Sequence, residues 1–570
     1  MVAKLSEPSF VDLYMPKLVT VLREQYRLGD LKADAVAGLT VAIVALPLSM
    51  AIAIASGVTP DRGLYAAIFG GFIVSAMGGN RFQIGGPAGA FIVLVAATVQ
   101  RHGVDGVILA TFLAGLILIG IGLLRLGSFI KFVPYPVTIG FTSGIAVIIF
   151  ASQLAELLGL TLPGREPGAM IPKIEALVAA LPTFNPAAAA VAALAIGAIM
   201  LVRRFRPHWP AFLIAVASAS LLAWLAGLPV ETIGTRFGGI PQMLPTPHLP
   251  AFTLSKTLEV LPSAISFALL GSIESLLSAV VADSMTGRRH RSNAELVAQG
   301  FANIGSALFG GICVTGAIAR TATNIRAGAR GPISGMLHSL FLLLFMCVAA
   351  PLASYIPLAA LAGVLAVVAW NMAEKQEFAI LVRASRGDAL VVLATFLLVV
   401  FRDLTEGIVV GFGLGALLFL HRMAQTVEVE SMRPVVEEDM ADSANREGPY
   451  DPALASDPDV AVYRISGAFF FGAAASVGAA LDNIGERPKT YVIDFSAVPV
   501  IDSTAAATIE GFVRKARRRG ASVQIVAALP AVQRTLMNHG VRPPHARFQA
   551  KLTDALAAPA EDEPAPAELA

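Results

Sequence analysis

Charge is scarce in this chain. Asp, Glu, Lys and Arg make up 14% of its 570 residues, while 56% are hydrophobic. Soluble globular proteins carry roughly 25% charged residues. Over this length the deficit excludes a water-soluble fold, because no core could hide so much apolar surface, and lipid must cover it. Cysteine is rarer still. Cys313 and Cys347 both lie in apolar stretches, which points to buried small residues and away from a disulfide framework or a metal site. There is no nucleophile–base set, no Walker loop and no cluster of metal ligands, so an enzyme, a cofactor and a metal are all unexpected. The net charge of +2 gives no reason to expect nucleic acid as a partner. No secretory signal peptide is visible: residues 1–30 are polar and of mixed charge, and the N-terminus is expected in the cytosol.

What is abundant is apolar sequence, with a mean hydropathy of +0.71. A spanning helix needs about 20 apolar residues. Spans are expected near 32–56, 63–79, 87–100, 105–124, 135–153, 187–203, 209–227, 259–285, 295–310, 315–327, 331–350, 355–371, 387–401 and 405–422. With the N-terminus inside, the cytosolic connections carry about twice as many Lys and Arg as the outer ones. Arg81, Arg125, Lys131, Arg203, Arg288, Arg326 and Lys375 lie among the former, and Arg62, Arg101, Arg165, Lys173 and Arg236 among the latter. That asymmetry fits fourteen spans in a cell inner (plasma) membrane with both termini cytosolic.

The expected organisation is a cytosolic segment (1–30), a transmembrane domain (31–423), a linker rich in acid and proline (424–459), a soluble α/β domain (460–556) and a disordered tail (557–570). In the α/β part, "VAVYRIS", "TYVIDFSAV" and "SVQIVA" read as strands. "STAAATIEGFVRKARRR" reads as a helix capped by Ser503 with cations at its C-terminal end.

Two places break the apolar pattern in matching ways. "QIGGPAGAFIVLVAA" (83–97) delays a helix with Gly85, Gly86 and Pro87, the proline suiting a first helical turn. "CVTGAIARTATNIRAGARG" (313–331) does the same with Thr315 and Gly316. Each lies third in a set of seven spans, and seven is odd, so the second set must insert inverted. Paired, interrupted segments in two halves point to a transporter site. A helix that begins at mid-depth aims free N–H groups and a positive dipole end inward, and two of them facing each other would seat an anion.

Charges inside the spans narrow the reading. Glu274 sits mid-span in "SAISFALLGSIESLLSAVVADSM", with Ser278 four residues on and on the same face. A low-dielectric setting favours the uncharged carboxyl, which suits a proton carrier; a permanently neutral structural Glu is the alternative. Arg320 either adds fixed positive charge to the anion seat or pairs with Glu274. Thr321, Thr323 and Asn324 supply polar groups nearby. His338 reads as structural, and Arg402, Asp403 and Glu406 read as a solvated turn.

These residues resemble the sulfate permease (SulP) family of anion transporters. "ALPLSMAIAIASGVTPDRGLYAAIFGGFIVSAMGGNRFQIGGPAGAF" (45–91), "GSIESLLSAVVADSMTGRRHRSNAELVAQGFANIGSALFGG" and "TGAIARTATNIRAGARGPISGMLH" carry the likeness. "VIDFSAVPVIDSTAAATIE" (492–510) is similar to the STAS domain that follows such permeases. The resemblance implies an all-α polytopic fold of fourteen spans in a seven-plus-seven inverted repeat, shared with uracil permease, plus a small cytosolic α/β STAS domain. A core of spans 1–4 and 8–11 would carry substrate past a gate of spans 5–7 and 12–14, as an elevator, in a homodimer. Bacterial relatives carry sulfate, bicarbonate or C4-dicarboxylates, and relatives with Glu where Glu274 stands look proton-coupled. The substrate set it implies is Pro47, Ile52, Gly86, Pro87, Ala88, Thr315, Gly316, Ala317 and Arg320, with Glu274 and Ser278 for proton coupling. Many relatives have Gln after the proline of the first span, where this chain has Leu48, so a known member's specificity does not carry over. Asp502, Ser503 and Thr504 match a segment whose hydroxyl residue is phosphorylated in anti-sigma factor antagonists. Ser503 and Thr504 are thus regulatory candidates, against a helix-cap reading of the same segment.

The leading expectation is a secondary, proton-coupled transporter of a small oxyanion or dicarboxylate. The alternatives are a bicarbonate transporter or chloride–bicarbonate exchanger, a nucleobase permease, and a membrane-anchored regulator acting through its soluble domain.

Overall fold

A computed structural model describes residues 13–128, 134–164, 166–206, 209–432, 459–482 and 488–557. Lys131, Arg165, most of the expected linker and nearly all of the expected tail lie outside them. The chain divides into two compact units, Met1–Gly413 and Leu414–Ala570.

In the first unit every expected span falls on helix. Among the described residues, eight helices are long and apolar enough to cross a bilayer, including Leu28–Ala55, Tyr135–Leu158, Leu254–Thr286 and Ile333–Ala353. Three departures follow from local chemistry. Spans 3 and 4 form one helical run, Ile92–Leu123, broken only where Gly103 turns to φ 70°. Span 2 carries a π-helical turn, Ala66–Gly70, between Pro60–Tyr65 and Gly71–Met77. Span 10 is a nine-residue helix, Ile318–Arg326. Helices at Met170–Ala180 and Lys375–Ala384 lie in the connections between expected spans.

Packing sorts the spans into two groups. Ser292–Leu308 and Leu254–Thr286 pack on Ile92–Leu123, and Ile333–Ala353 packs on Leu28–Ala55. Small residues let these backbones approach: a Cβ on Gly300 would lie 2.6 Å from Gly115 O. The second group joins Tyr135–Leu158 to Leu358–Met372 and Arg386–Phe401, and Pro186–Phe205 to Ala211–Leu225 and Leu358–Met372. These groups are the core and the gate of the inverted repeat. Hydrogen bonds from Gln100 Nε2 to Glu166 O (2.9 Å) and between Ser266 and Thr405 hydroxyls (2.9 Å) cross between them.

Buried carboxylates fix two turns of the core. Asp34 Oδ1 accepts from Arg330 N (2.6 Å) and Gly331 N (3.1 Å), while Tyr26 O–H donates to Oδ2 (2.5 Å). Glu295 accepts from Asn80 N (3.1 Å) and Gln299 Nε2 (3.2 Å). One carboxylate thus holds the turn before span 11 and the other the turn before span 3.

The second unit is the α/β domain. Numbering strands along the whole chain, β1 (Gly85–Gly86) and β2 (Thr315–Gly316) belong to the membrane unit. A five-stranded sheet follows, ordered β3 (Glu428–Met432), β4 (Val460–Ser466), β5 (Thr490–Ala497), β6 (Ser522–Val526) and β7 (Arg547–Gln549). β3 runs antiparallel to β4 and the rest are parallel. Ile465, Phe469, Ile493, Phe495, Ile509 and Ile525 form its core under helices Phe471–Asp482, Ser503–Arg518 and Pro530–Asn538. The helix expected to be capped by Ser503 is capped one residue earlier: Asp502 Oδ1 accepts from Ala505 N at 2.9 Å.

Asp494 on β5 is 3% exposed. Burial opposes its ionisation, but hydrogen bonds from Ser496 N and Arg464 Nε, each 2.8 Å, hold its carboxyl below the usual range. A depressed carboxyl stabilises the fold in full above its unfolded value, about 3.9. That stability is lost as pH falls through the lower folded value. Asp494→Asn should therefore speed amide exchange in β4 and β5 at neutral pH, with the difference from wild type vanishing in strong acid. Equal exchange at neutral pH would show that the pair contributes nothing.

Candidate functional site

Gly and Pro keep residues 85–88 out of helix, and Thr315 and Gly316 do the same in the other half. The two breaks meet. β1 and β2 pair antiparallel, Gly85 opposite Gly316 and Gly86 opposite Thr315. From this ladder a 3₁₀ turn, Gly89–Phe91, leads into Ile92–Leu123, and Ile318–Arg326 departs from the other strand. Pro87, expected in the first helical turn, lies just ahead of it. Ala88 and Ala317 hold the matching N-cap positions in extended conformation, and neither start has a side-chain cap. The uncapped N–H groups are the kind that accept an anion.

Side chains of spans 8, 9 and 10 fix the ladder. Gly316 N donates to Ser275 Oγ (3.2 Å), Ser275 and Thr315 share a 2.9 Å hydroxyl contact, and Thr315 Oγ1 donates to Gly271 O (3.2 Å). Ile84 N and Ser278 Oγ both donate to Thr321 Oγ1 at 3.1 Å. Asn303 clamps the strand from span 9, accepting from Val314 N and donating to Val314 O, each at 2.9 Å. Gln83 Nε2 donates to Ser275 O (3.2 Å). A Cβ on Gly316 would meet Gln83 Nε2 at 1.6 Å, so any larger residue there would have to push the Gln83 side chain off Ser275 O. Gln83, Ser275 and Asn303 escaped the sequence reading; polar residues inside apolar spans were their signal.

Arg320 reaches across. It is 2% exposed, and its Nη2 donates to Pro87 O at 2.9 Å. Nε and Nη1 are buried without an acceptor among the described residues. No ion pair joins it to Glu274 there, so of the two readings open for Arg320 the pairing one is set aside. Glu274 is 6% exposed on the same helix as Ser275 and has no hydrogen-bond or ion-pair partner among the described residues. Pro47 and Ile52 are buried in span 1, which packs on Ile318–Arg326; at Pro47 the missing N–H leaves the carbonyl of Ile43 without its helical donor. His338 is fully buried, with neither ring nitrogen partnered among the described residues. Ser503 and Thr504 are exposed in the soluble unit.

A cavity of about 780 Å³ runs between core and gate, lined by Ala51, Ile54, Ile92 and Ala96 on one side and Ile148, Ser152, Leu361 and Val399 on the other. Arg402 and Asp403, expected in a solvated turn, also line it.

Residues 31–395 match the model of the sulfate permease family, and 451–555 match the STAS domain. The chain belongs to the sulfate permease family. It is an anion transporter and not an enzyme, and its STAS domain is cytosolic. It is 40% identical over 506 residues to YvdB of Bacillus subtilis, whose name assigns it provisionally to sulfate transport, across 88% of this chain and 92% of that one. It is 32% identical over 524 residues to the bicarbonate transporter BicA of Synechocystis, across 89% and 90%. The solved transmembrane domain of a cyanobacterial BicA superposes with a TM-score of 0.62 at 34% identity, covering 67% of this chain and 98% of that one. Murine Slc26a9 superposes with a TM-score of 0.84 at 19% identity, covering 97% and 95%, which establishes a shared fold.

Arg320 lies so close to Gly86 that a Cβ there would fall 2.3 Å from Nη1. Gly86 sits at φ 157°, where an L side chain is strained, so Gly86→Ala should displace the guanidinium and strain β1 together, weakening anion binding at least about tenfold, equivalent to one lost charge-assisted hydrogen bond. Titration calorimetry on the purified protein checks this, and unchanged affinity would mean that Arg320's placement does not matter.

Proposed function

We propose that this chain is a proton-coupled symporter of a small oxyanion or dicarboxylate, the anion seated between Ala88 and Ala317 and held by Arg320. One observation carries the reading: a buried guanidinium, two of its nitrogens unpaired among the described residues, stands where two uncapped helix starts meet. An unpaired buried charge is costly. A bound anion removes that cost and adds charge-assisted hydrogen bonds. Glu274 is the proton carrier, since a partnerless buried carboxylate is tolerable chiefly when protonated. Ser278, one turn further along the same helix, is taken with it for proton coupling, and its hydroxyl donates to Thr321 Oγ1. Pro47, Ile52, Gly86, Pro87, Thr315 and Gly316 complete the seat.

The core moves past the gate as an elevator, in a homodimer in the plasma membrane with both termini cytosolic. Largely apolar surfaces between the two helix groups support a sliding motion. The transport domain is taken as 31–423, and Ser503 or Thr504 as a site for regulatory phosphorylation. The likeness to BicA favours bicarbonate as the second reading for the cargo.

Two variants test the division of labour. Arg320→Gln should abolish anion binding. Glu274→Gln should keep binding but make uptake into proteoliposomes indifferent to an imposed pH gradient. Wild-type pH dependence in Glu274→Gln would remove the coupling role. A panel of labelled sulfate, succinate and bicarbonate, with and without sodium, selects the cargo.

A further inference from the structure

The sheet of the soluble unit has two ends, and charge is collected at one of them. β3 begins at Glu428 opposite Ser466 and finishes at Met432 opposite Val462. The chain therefore leaves β3, and returns at Asp459, at the end where the parallel strands start. Helix Ser503–Arg518 runs against the strands and delivers Arg517, Arg518 and Arg519 to this end. The segment leading into β7 adds Arg542 and His545. All five are exposed. Arg517 Nη1 contacts His545 Nδ1, so the two segments meet. Among the described residues Arg518, Arg519 and Arg542 have no ion-pair partner. Asp459 already pairs with Lys489 at 2.8 Å.

The sequence between the two points of exit and entry is acidic. Residues 433–458 contain Glu437, Glu438, Asp439, Asp442, Glu447, Asp451 and Asp457 against Arg433 and Arg446. Neighbouring strands are spaced by about 4.8 Å, so β7 lies three spacings, roughly 15 Å, from the β4 end of the segment and four, roughly 19 Å, from its β3 end. A chain of this length extends several times further, at about 3.3 Å per residue. We propose that this basic edge is the docking surface for the chain's own acidic segment, residues 433–458. Exposed ion pairs are individually weak. Tethering at both ends raises the effective concentration to the order of millimolar, so several weak pairs hold together. Salt should release them, since the screening length shrinks from about 10 Å at 0.1 M to about 3 Å at 1 M.

Limited proteolysis of the full-length protein in detergent with a glutamate-specific protease tests this. Cleavage after Glu437, Glu438 and Glu447 is followed at low and high salt, relative to a free peptide of residues 433–458. In wild type the segment should be cut several-fold more slowly at low salt than at high salt. The combined variant Arg517→Glu, Arg518→Glu, Arg519→Glu should be cut at the fast rate in both. So should the variant Asp439→Asn, Asp442→Asn, Asp451→Asn, Asp457→Asn, which alters none of the described residues and leaves every cleavage site. Equal cleavage of wild type and both variants at low salt would overturn the proposal.

Discussion

The membrane unit depends on one interaction: the Arg320 guanidinium donating across the β1–β2 ladder to Pro87 O. It ties the start of one half-helix to the start of the other, over 233 residues of sequence. A two-residue ladder is too short to stand alone, because isolated two-stranded pieces are marginal even when longer. The surrounding spans make up the deficit. Span 8 offers Ser275, span 9 offers Asn303 and span 10 offers Thr321, each accepting from a backbone N–H that the broken helices leave open, while Gly271 O of span 8 accepts from the Thr315 hydroxyl. In a low-dielectric interior every such group needs a partner, so the unwound strands fix where these polar residues must stand.

The buried carboxylates sharpen the contrast. Asp34 and Glu295 both receive backbone N–H bonds, which stabilise a carboxylate in place, and both hold turns that lead into core helices. Glu274 is buried too, and among the described residues it receives none. The first two are built as anchors. The third is built without the donors that would fix its charge, and a group of that kind can change its protonation without dismantling the helices around it.

Much of this was legible in the sequence. The apolar runs gave the spans, and the matched Gly/Pro breaks located both strands of the ladder to within a residue or two. The positions of Arg320 and Glu274 followed from the rarity of charge in such runs. Register was not legible. That Gly86 faces Thr315, or that Thr321 takes hydrogen bonds from Ile84, 237 residues away, and from Ser278, 43 residues away, depends on tertiary packing between segments distant in sequence. Ser275 and Asn303 look like ordinary packing residues until their partners are known. The cap at Asp502 was misplaced by one residue because Asp and Ser are both good N-caps, and only the bond to Ala505 N decides between them. That Arg402 and Asp403 line the cavity was invisible, since a charged turn reads the same whether it borders solvent or a cavity.

The charge balance of the seat links its geometry to the proposed cargo. Each half-helix start contributes roughly half an elementary positive charge, and Arg320 contributes one more. With Glu274 neutral the seat presents about two positive charges, which a dianion such as sulfate or a C4-dicarboxylate cancels. With Glu274 ionised it presents about one, which suits a monoanion such as bicarbonate and leaves a dianion in excess. On this reading the proton is part of the selectivity as well as of the coupling. Under the proposed mechanism a dianion would enter as a pair with its proton, so that the loaded core would cross the low-dielectric barrier close to neutral. A core that bound the dianion alone would carry uncompensated charge through lipid, a state that the cost of burying charge makes rare.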